Sequence, residues 1–74
     1  MKASTTIKMI MAAKGKTVND LADITGRSAQ TINNTFYNDR HSTKGGMTLS
    51  IAAEYAEALG CEIVFRDKET GKIY

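Results

Sequence analysis

Along most of the chain the apolar positions recur at helical spacing, and only near the end do they begin to alternate. Ile7, Ile10 and Met11 stand at i, i+3 and i+4, which predicts a first helix opened by Ser4 or Thr5 and stopped by Gly15. Thr17 with Asp20 three residues later approximates a capping box, so "VNDLADIT" is expected to form a second helix presenting Leu21, Ala22 and Ile24. It runs into Gly26, suited to a tight turn, after which Ser28 opens a third helix over residues 28–37 with Asn38 as its stop. Residues 38–46, "NDRHSTKGG", contain no apolar side chain and predict a surface loop. Thr48 then caps "LSIAAEYAEALG", in which Leu49, Ala52, Ala53, Tyr55, Ala56 and Leu59 form one stripe ended by Gly60.

The final stretch has a period of two. In "CEIVFRDKETGKIY", Cys61, Ile63 and Phe65 alternate with Glu62, Val64 and Arg66, and "DKETG" offers a bulged turn at Gly71, so a short C-terminal β-hairpin is expected. Two strands alone are marginal in water, so they must lean on the helices or on another chain. The whole predicts a mainly α fold of four to five helices, with residues 1–60 as the principal domain and 61–74 as a hairpin belonging to it.

The third helix is odd in composition. Gln30, Thr31, Asn33, Asn34 and Thr35 are mediocre helix formers, because their side chains compete for backbone hydrogen bonds. With Ala29 at zero and about 100° per residue, Ile32, Phe36 and Ala29 fall within about 60° of one another. Gln30, Asn33, Asn34 and Tyr37 gather on a separate arc of about 100°, so one outward face carries hydrogen-bonding groups and almost no charge. An ordinary exposed helix would use Glu, Lys and Arg, which form helices better and pair along them. Asn and Gln instead offer a donor and an acceptor together, as an adenine edge requires, and a small residue such as Ala29 can touch a thymine methyl. Set against this is the simpler possibility of a solvated polar surface.

Charge shifts the balance slightly. Ten Lys and Arg against eight acids give a net +2, but the chain through Gly46 holds seven bases and three acids, and the remainder three bases and five acids. The basic half contains the amide-rich helix, with Lys16, Arg27, Arg40 and Lys44 placed around it to hold phosphates. A chain of 74 residues has room for one small domain and none for a separate catalytic one. His41 lies in a polar loop without a nucleophile motif, and neither metal-ligand spacing nor a phosphate-cradling glycine loop is present, so neither an enzyme nor a cofactor is expected. The single Cys61 reads as a small buried hydrophobe in a reducing compartment; with no secretory signal and no apolar run long enough to span a bilayer, a cytoplasmic protein is expected.

Ala22, Gly26 and Ile32 occupy the relative places a helix-turn-helix needs: a small contact residue, a turn glycine and a branched apolar residue facing the first helix. Through "GKTVNDLADITGRSAQTINNTFYND" and "SIAAEYAEALG" the chain resembles the lambda-repressor-like, Cro-type helix-turn-helix family over about Ile7 to Gly60. That resemblance implies a reading helix in the major groove of double-stranded DNA, with Ala29, Gln30, Asn33 and Asn34 against bases. It also implies backbone contacts from Thr17, Asn19, Arg27, Ser28, Thr31, Tyr37, Asn38, Arg40 and Lys44. Departures are Val18 where the family usually has Gln, Arg27 and Thr35 at usually apolar places, and Tyr37-Asn38 in place of Asn-Gly. The resemblance further implies a transcriptional regulator, a repressor by preference, acting as a homodimer on a palindromic operator, with the hairpin either pairing across the two-fold axis or folding onto its own helices. The rival from another class is a protein-interaction module, such as the antitoxin of a toxin–antitoxin pair, using the apolar "IVF" segment.

Overall fold

Local capping decides where three of the four helices begin. The computed structural model describes residues 2–74, and its helices are α1 (Ala3–Lys14), α2 (Val18–Thr25), α3 (Ala29–Arg40) and α4 (Leu49–Ala58). At α2 the box is complete: the Asp20 N–H donates to Thr17 Oγ1 (3.1 Å), and the Thr17 N–H donates to Asp20 Oδ2 (2.8 Å). The hydroxyls of Ser28 and Thr48 accept from the N–H groups of Thr31 and Ile51, opening α3 and α4.

The first helix departs from expectation. It starts at Ala3 with Lys2 in the capping position and no side-chain cap of its own, and neither Ser4 nor Thr5 opens it. Ser4 is buried in its first turn, where its N–H donates to Asp39 Oδ2 at 3.0 Å. A carboxylate from the far end of α3 thus does the work of a cap, satisfying a donor and favouring the positive helix end. At the opposite end Lys14 Nζ donates to the Leu59 carbonyl (2.6 Å), satisfying one of the last acceptors of α4.

Four inward stripes meet in one core. Ile7 and Met11 of α1, Leu21 of α2, Ile32 and Phe36 of α3, and Tyr55 and Ala56 of α4 are buried together with Leu59. Leu21, Ile32 and Tyr55 are wholly inaccessible, and each aliphatic side chain so buried contributes about 1.5–3 kcal/mol. The Phe36 and Tyr55 rings meet edge to face with centroids 5.9 Å apart. Helix α2 packs on α3 and α4, and α1 packs on the same two. The predicted stripes are narrower than drawn: Ile24 and Leu49 are exposed, as is Ala53.

Two glycines shape the path around α3. Gly26 ends α2 at φ 76° and lets the chain turn within three residues into α3. At Gly46 a Cβ would lie 3.1 Å from the backbone of Asp39, so the loop passes against the last turn of α3 only because no side chain is there. That packing also corrects the expected stop at Asn38. The helix continues to Arg40, and Asn38 remains helical while its side chain takes a bond from Thr43 Oγ1 (3.0 Å) and gives one to the Gly45 carbonyl (3.4 Å). The left-handed residue falls at Ser42 instead.

The β-hairpin does not form as a pair of strands. Beyond Gly60 the described chain has a single antiparallel bridge, Arg66 with Ile73, closed by Asp67 N–H to the Lys72 carbonyl and Tyr74 N–H to that of Phe65. Gly71 (φ 77°) makes the turn as expected. Among the described residues the alternating positions before the bridge have no strand beside them, because the backbone bonds of Lys72 and Tyr74 go to Asp67 and Phe65 and none goes to residues 61–64. Cys61 packs against the core, whereas Ile63, Val64, Phe65, Ile73 and Tyr74 remain exposed.

Candidate nucleic-acid interface

The outward face of α3 is held rigidly from behind. Ile32 and Phe36 are buried, Ala29 is half-buried, and Gln30, Asn33, Asn34 and Tyr37 are exposed, which is the partition that the helical period predicts. Thr35 joins the buried side, its hydroxyl donating to the Thr31 carbonyl four residues back (3.0 Å). A usually apolar place therefore accepts threonine because the helix itself satisfies the hydroxyl. Tyr55 beneath it has its phenol pushed up by burial, and the hydroxyl has no partner in hydrogen-bonding geometry among the described residues.

The amide groups of Gln30, Asn33 and Asn34 have no intramolecular partner among the described residues, so their donors and acceptors are all available to a ligand. At the helix start the hydroxyls are occupied. Ser28 Oγ accepts from the Thr31 N–H and donates to Thr31 Oγ1 (2.8 Å), which fixes both side chains in one arrangement. Likewise both donors of Thr17 are directed at Asp20, whose carboxylate they hold below its ordinary value, while Asn19 is exposed beside them. Val18 packs against the core.

Arg27 is explained by a residue the sequence did not connect with it. Its Nε–H and Nη2–H donate to the two carboxylate oxygens of Glu54 on α4, at 2.6 and 3.0 Å. This two-pronged pair, about a third exposed on each side, raises the Arg27 pKa and lowers that of Glu54 through the hydrogen bonds and opposite charges. The guanidinium is thereby tethered to α4 through two of its five N–H donors. No short-range pattern could have shown this, since the partners stand 27 positions apart.

After α3, Arg40 and Lys44 are exposed, as is Lys16 before α2. Tyr37 is half-exposed and lies against the His41 ring, centroids 4.1 Å apart and planes tilted by 36°. Lys2 reaches across from α1 to donate to the Asp39 carbonyl (2.9 Å) and to Ser42 Oγ. Together with the Ser4–Asp39 bond it fastens the end of α3 and its following loop to α1, a contact absent from the sequence reading. Among the described residues no group of three or more His, Cys, Asp or Glu side chains is arranged to hold a metal, and no helix is long and apolar enough to cross a membrane.

A sequence model described as the Cro/C1-type HTH DNA-binding domain matches residues 6–64, which include all of α2, α3 and α4. No curated protein and no solved structure matches the chain.

Proposed function

The chain belongs to the Cro/C1-type helix-turn-helix DNA-binding family, and from that premise we propose that it is a sequence-specific regulator of transcription whose helix α3 reads the major groove. The observation that carries this reading is the free amide face: Gln30, Asn33 and Asn34 stand exposed and without intramolecular partners on a helix anchored through Ile32 and Phe36. Asn and Gln can each address adenine through N6 and N7, and Ala29 at the helix start suits a thymine methyl. Phosphates are held by Asn19, Arg40 and Lys44, with Ser28, Thr31, Tyr37 and Asn38 adding polar contacts along the backbone. Thr17 contributes mainly by orienting α2, since Asp20 takes both of its donors, and Arg27 by bracing the turn against Glu54, which takes two of its five N–H donors and leaves the rest for a phosphate.

The protein acts as a homodimer on a palindromic operator in the cytoplasm, and occupies promoter DNA as a repressor. The symmetry of a dimer matches half-sites about one turn, roughly 34 Å, apart. Selection of binding sites from random duplex DNA tests all of this together: a palindrome with that spacing is the expected result, and the absence of any enriched sequence would overturn the reading. The exposed Ile63–Val64–Phe65 segment favours one rival, a domain whose chief partner is another protein. Salt separates the two, because affinity for DNA carried by phosphate contacts must fall steeply as salt rises.

A further inference from the structure

The loop after α3 carries Lys44, and residues 41–45 are all exposed, so burial does not hold them in place. Hydrogen bonds do so instead, and they converge on the last turn of α3 and the first turn of α1. The Asn38 side chain accepts from Thr43 Oγ1 (3.0 Å), and the Asn38 carbonyl accepts from the Thr43 N–H (2.8 Å). The Asp39 carboxylate accepts from the Ser4 N–H of α1 (3.0 Å) and also draws on the Met47 N–H, where the loop returns. Lys2 Nζ ties the other side, donating to the Asp39 carbonyl (2.9 Å) and to Ser42 Oγ. Lys44 stands exposed between these ties, and among the described residues its ammonium has no partner.

We infer that the start of α1 is a positioning device for DNA binding: Lys2 and Asp39 hold the 41–46 loop so that Lys44 meets a phosphate from a loop already in place. This rests on the reading of Lys44 as a phosphate contact given above, and adds the residues that set it there. A loop that is held beforehand loses less conformational freedom on binding, so the ties raise affinity without touching DNA themselves. The sign of the Asp39 charge makes the device recognisable. An acid beside a phosphate-binding loop repels DNA, so by charge alone its removal would strengthen binding. As a positioning residue, its removal must weaken binding.

The test measures affinity of the full chain for a mixed-sequence DNA duplex at several salt concentrations, with helical circular dichroism to confirm folding. Lys44→Ala is expected to bind about fivefold more weakly, with a salt slope shallower by about 1. Asp39→Ala is expected to bind about threefold more weakly although it gains net positive charge, and to cause no further loss in a Lys44→Ala background, where no contact remains to be positioned. Lys2 itself is left in place, because loss of its charge would weaken binding whatever it positions. Ser42→Ala removes the loop end of the Lys2 tie without changing charge or core, and is expected to cost about twofold, again only while Lys44 is present. A folded Asp39→Ala chain that binds as tightly as wild type or tighter, or losses that simply add to that of Lys44→Ala, would overturn the positioning role and leave the phosphate contact standing. Should Asp39→Ala fail to fold, Ser42→Ala decides by the same criteria. If Lys44→Ala binds DNA like wild type, the phosphate reading fails and the inference with it.

Discussion

Helix α3 and the segment after Gly60 expose opposite chemistry for opposite reasons. On α3 the outward groups are amides and the inward ones, Ile32 and Phe36, are buried in the core, so the helix is fixed by what it hides. After Gly60 the outward groups are Ile63, Val64 and Phe65, and only Cys61 at the root of the segment packs against the core. A polar face with an apolar back is complete within one chain and ready for a hydrogen-bonding ligand. The apolar side chains of the tail offer no hydrogen-bonding groups of their own, and such exposed apolar surface is what contacts between proteins cover.

The largest expected effect tests the anchoring itself. Ile32→Ala should cost about 2–5 kcal/mol in urea denaturation, because it empties a fully buried site, whereas Ile63→Ala in protein diluted to monomer should cost less than about 0.5 kcal/mol. Comparable losses at the two sites would mean that the tail is part of the core after all. Next is Gln30→Ala, expected to weaken binding to the selected operator by about 1–3 kcal/mol with little change on random DNA and none in stability. An equal loss on both DNAs would remove Gln30 from the base-reading set.

Asp39 fastens the end of α3 to α1, and among the described residues no carboxylate fastens the tail to the helices, so acid should distinguish the two regions. The Ser4 hydroxyl and N–H hold its carboxylate below the ordinary value of 3.8. A group whose pKa is depressed in the folded state contributes fully above its unfolded value and loses that contribution as pH falls through the lower, folded one. Asp39→Asn should therefore lower the melting temperature at pH 7, and the gap from wild type should narrow below about pH 4. A gap independent of pH would assign the effect to packing. The smallest effect belongs to Lys44→Ala, which should weaken all DNA sequences alike and make the salt slope shallower by about 1, as read from binding titrations at several ionic strengths.

The contrast between the two regions was partly legible in the residues. The outward arc of α3 followed from a 3.6-residue period and matches the exposed set in the fold. Arg27 and Tyr37 did not yield to the same reasoning. Arg27, which the sequence set among the phosphate contacts at a usually apolar place, pairs with Glu54 of α4, and Tyr37 stacks on His41, which follows the end that Asn38 was expected to impose. In the tail the period-two pattern produced one bridge, Arg66 with Ile73, in place of a hairpin, because alternation marks a strand's two faces but does not supply the partner that pairs with it.

What the sequence determined by itself are the features closed within about four residues. The Thr17–Asp20 box, the Ser28 and Thr48 caps, the turn at Gly26 and the division of α3 into two faces all depend on neighbours along the chain, whose separation is fixed by the helix period. Tertiary structure alone decided the Arg27–Glu54 pair, the Lys14 bond to Leu59 and the Asp39 cap on α1. Those partners stand 27 to 45 residues apart. They come together, or fail to, according to how the apolar stripes pack, which no local pattern of donors and acceptors specifies.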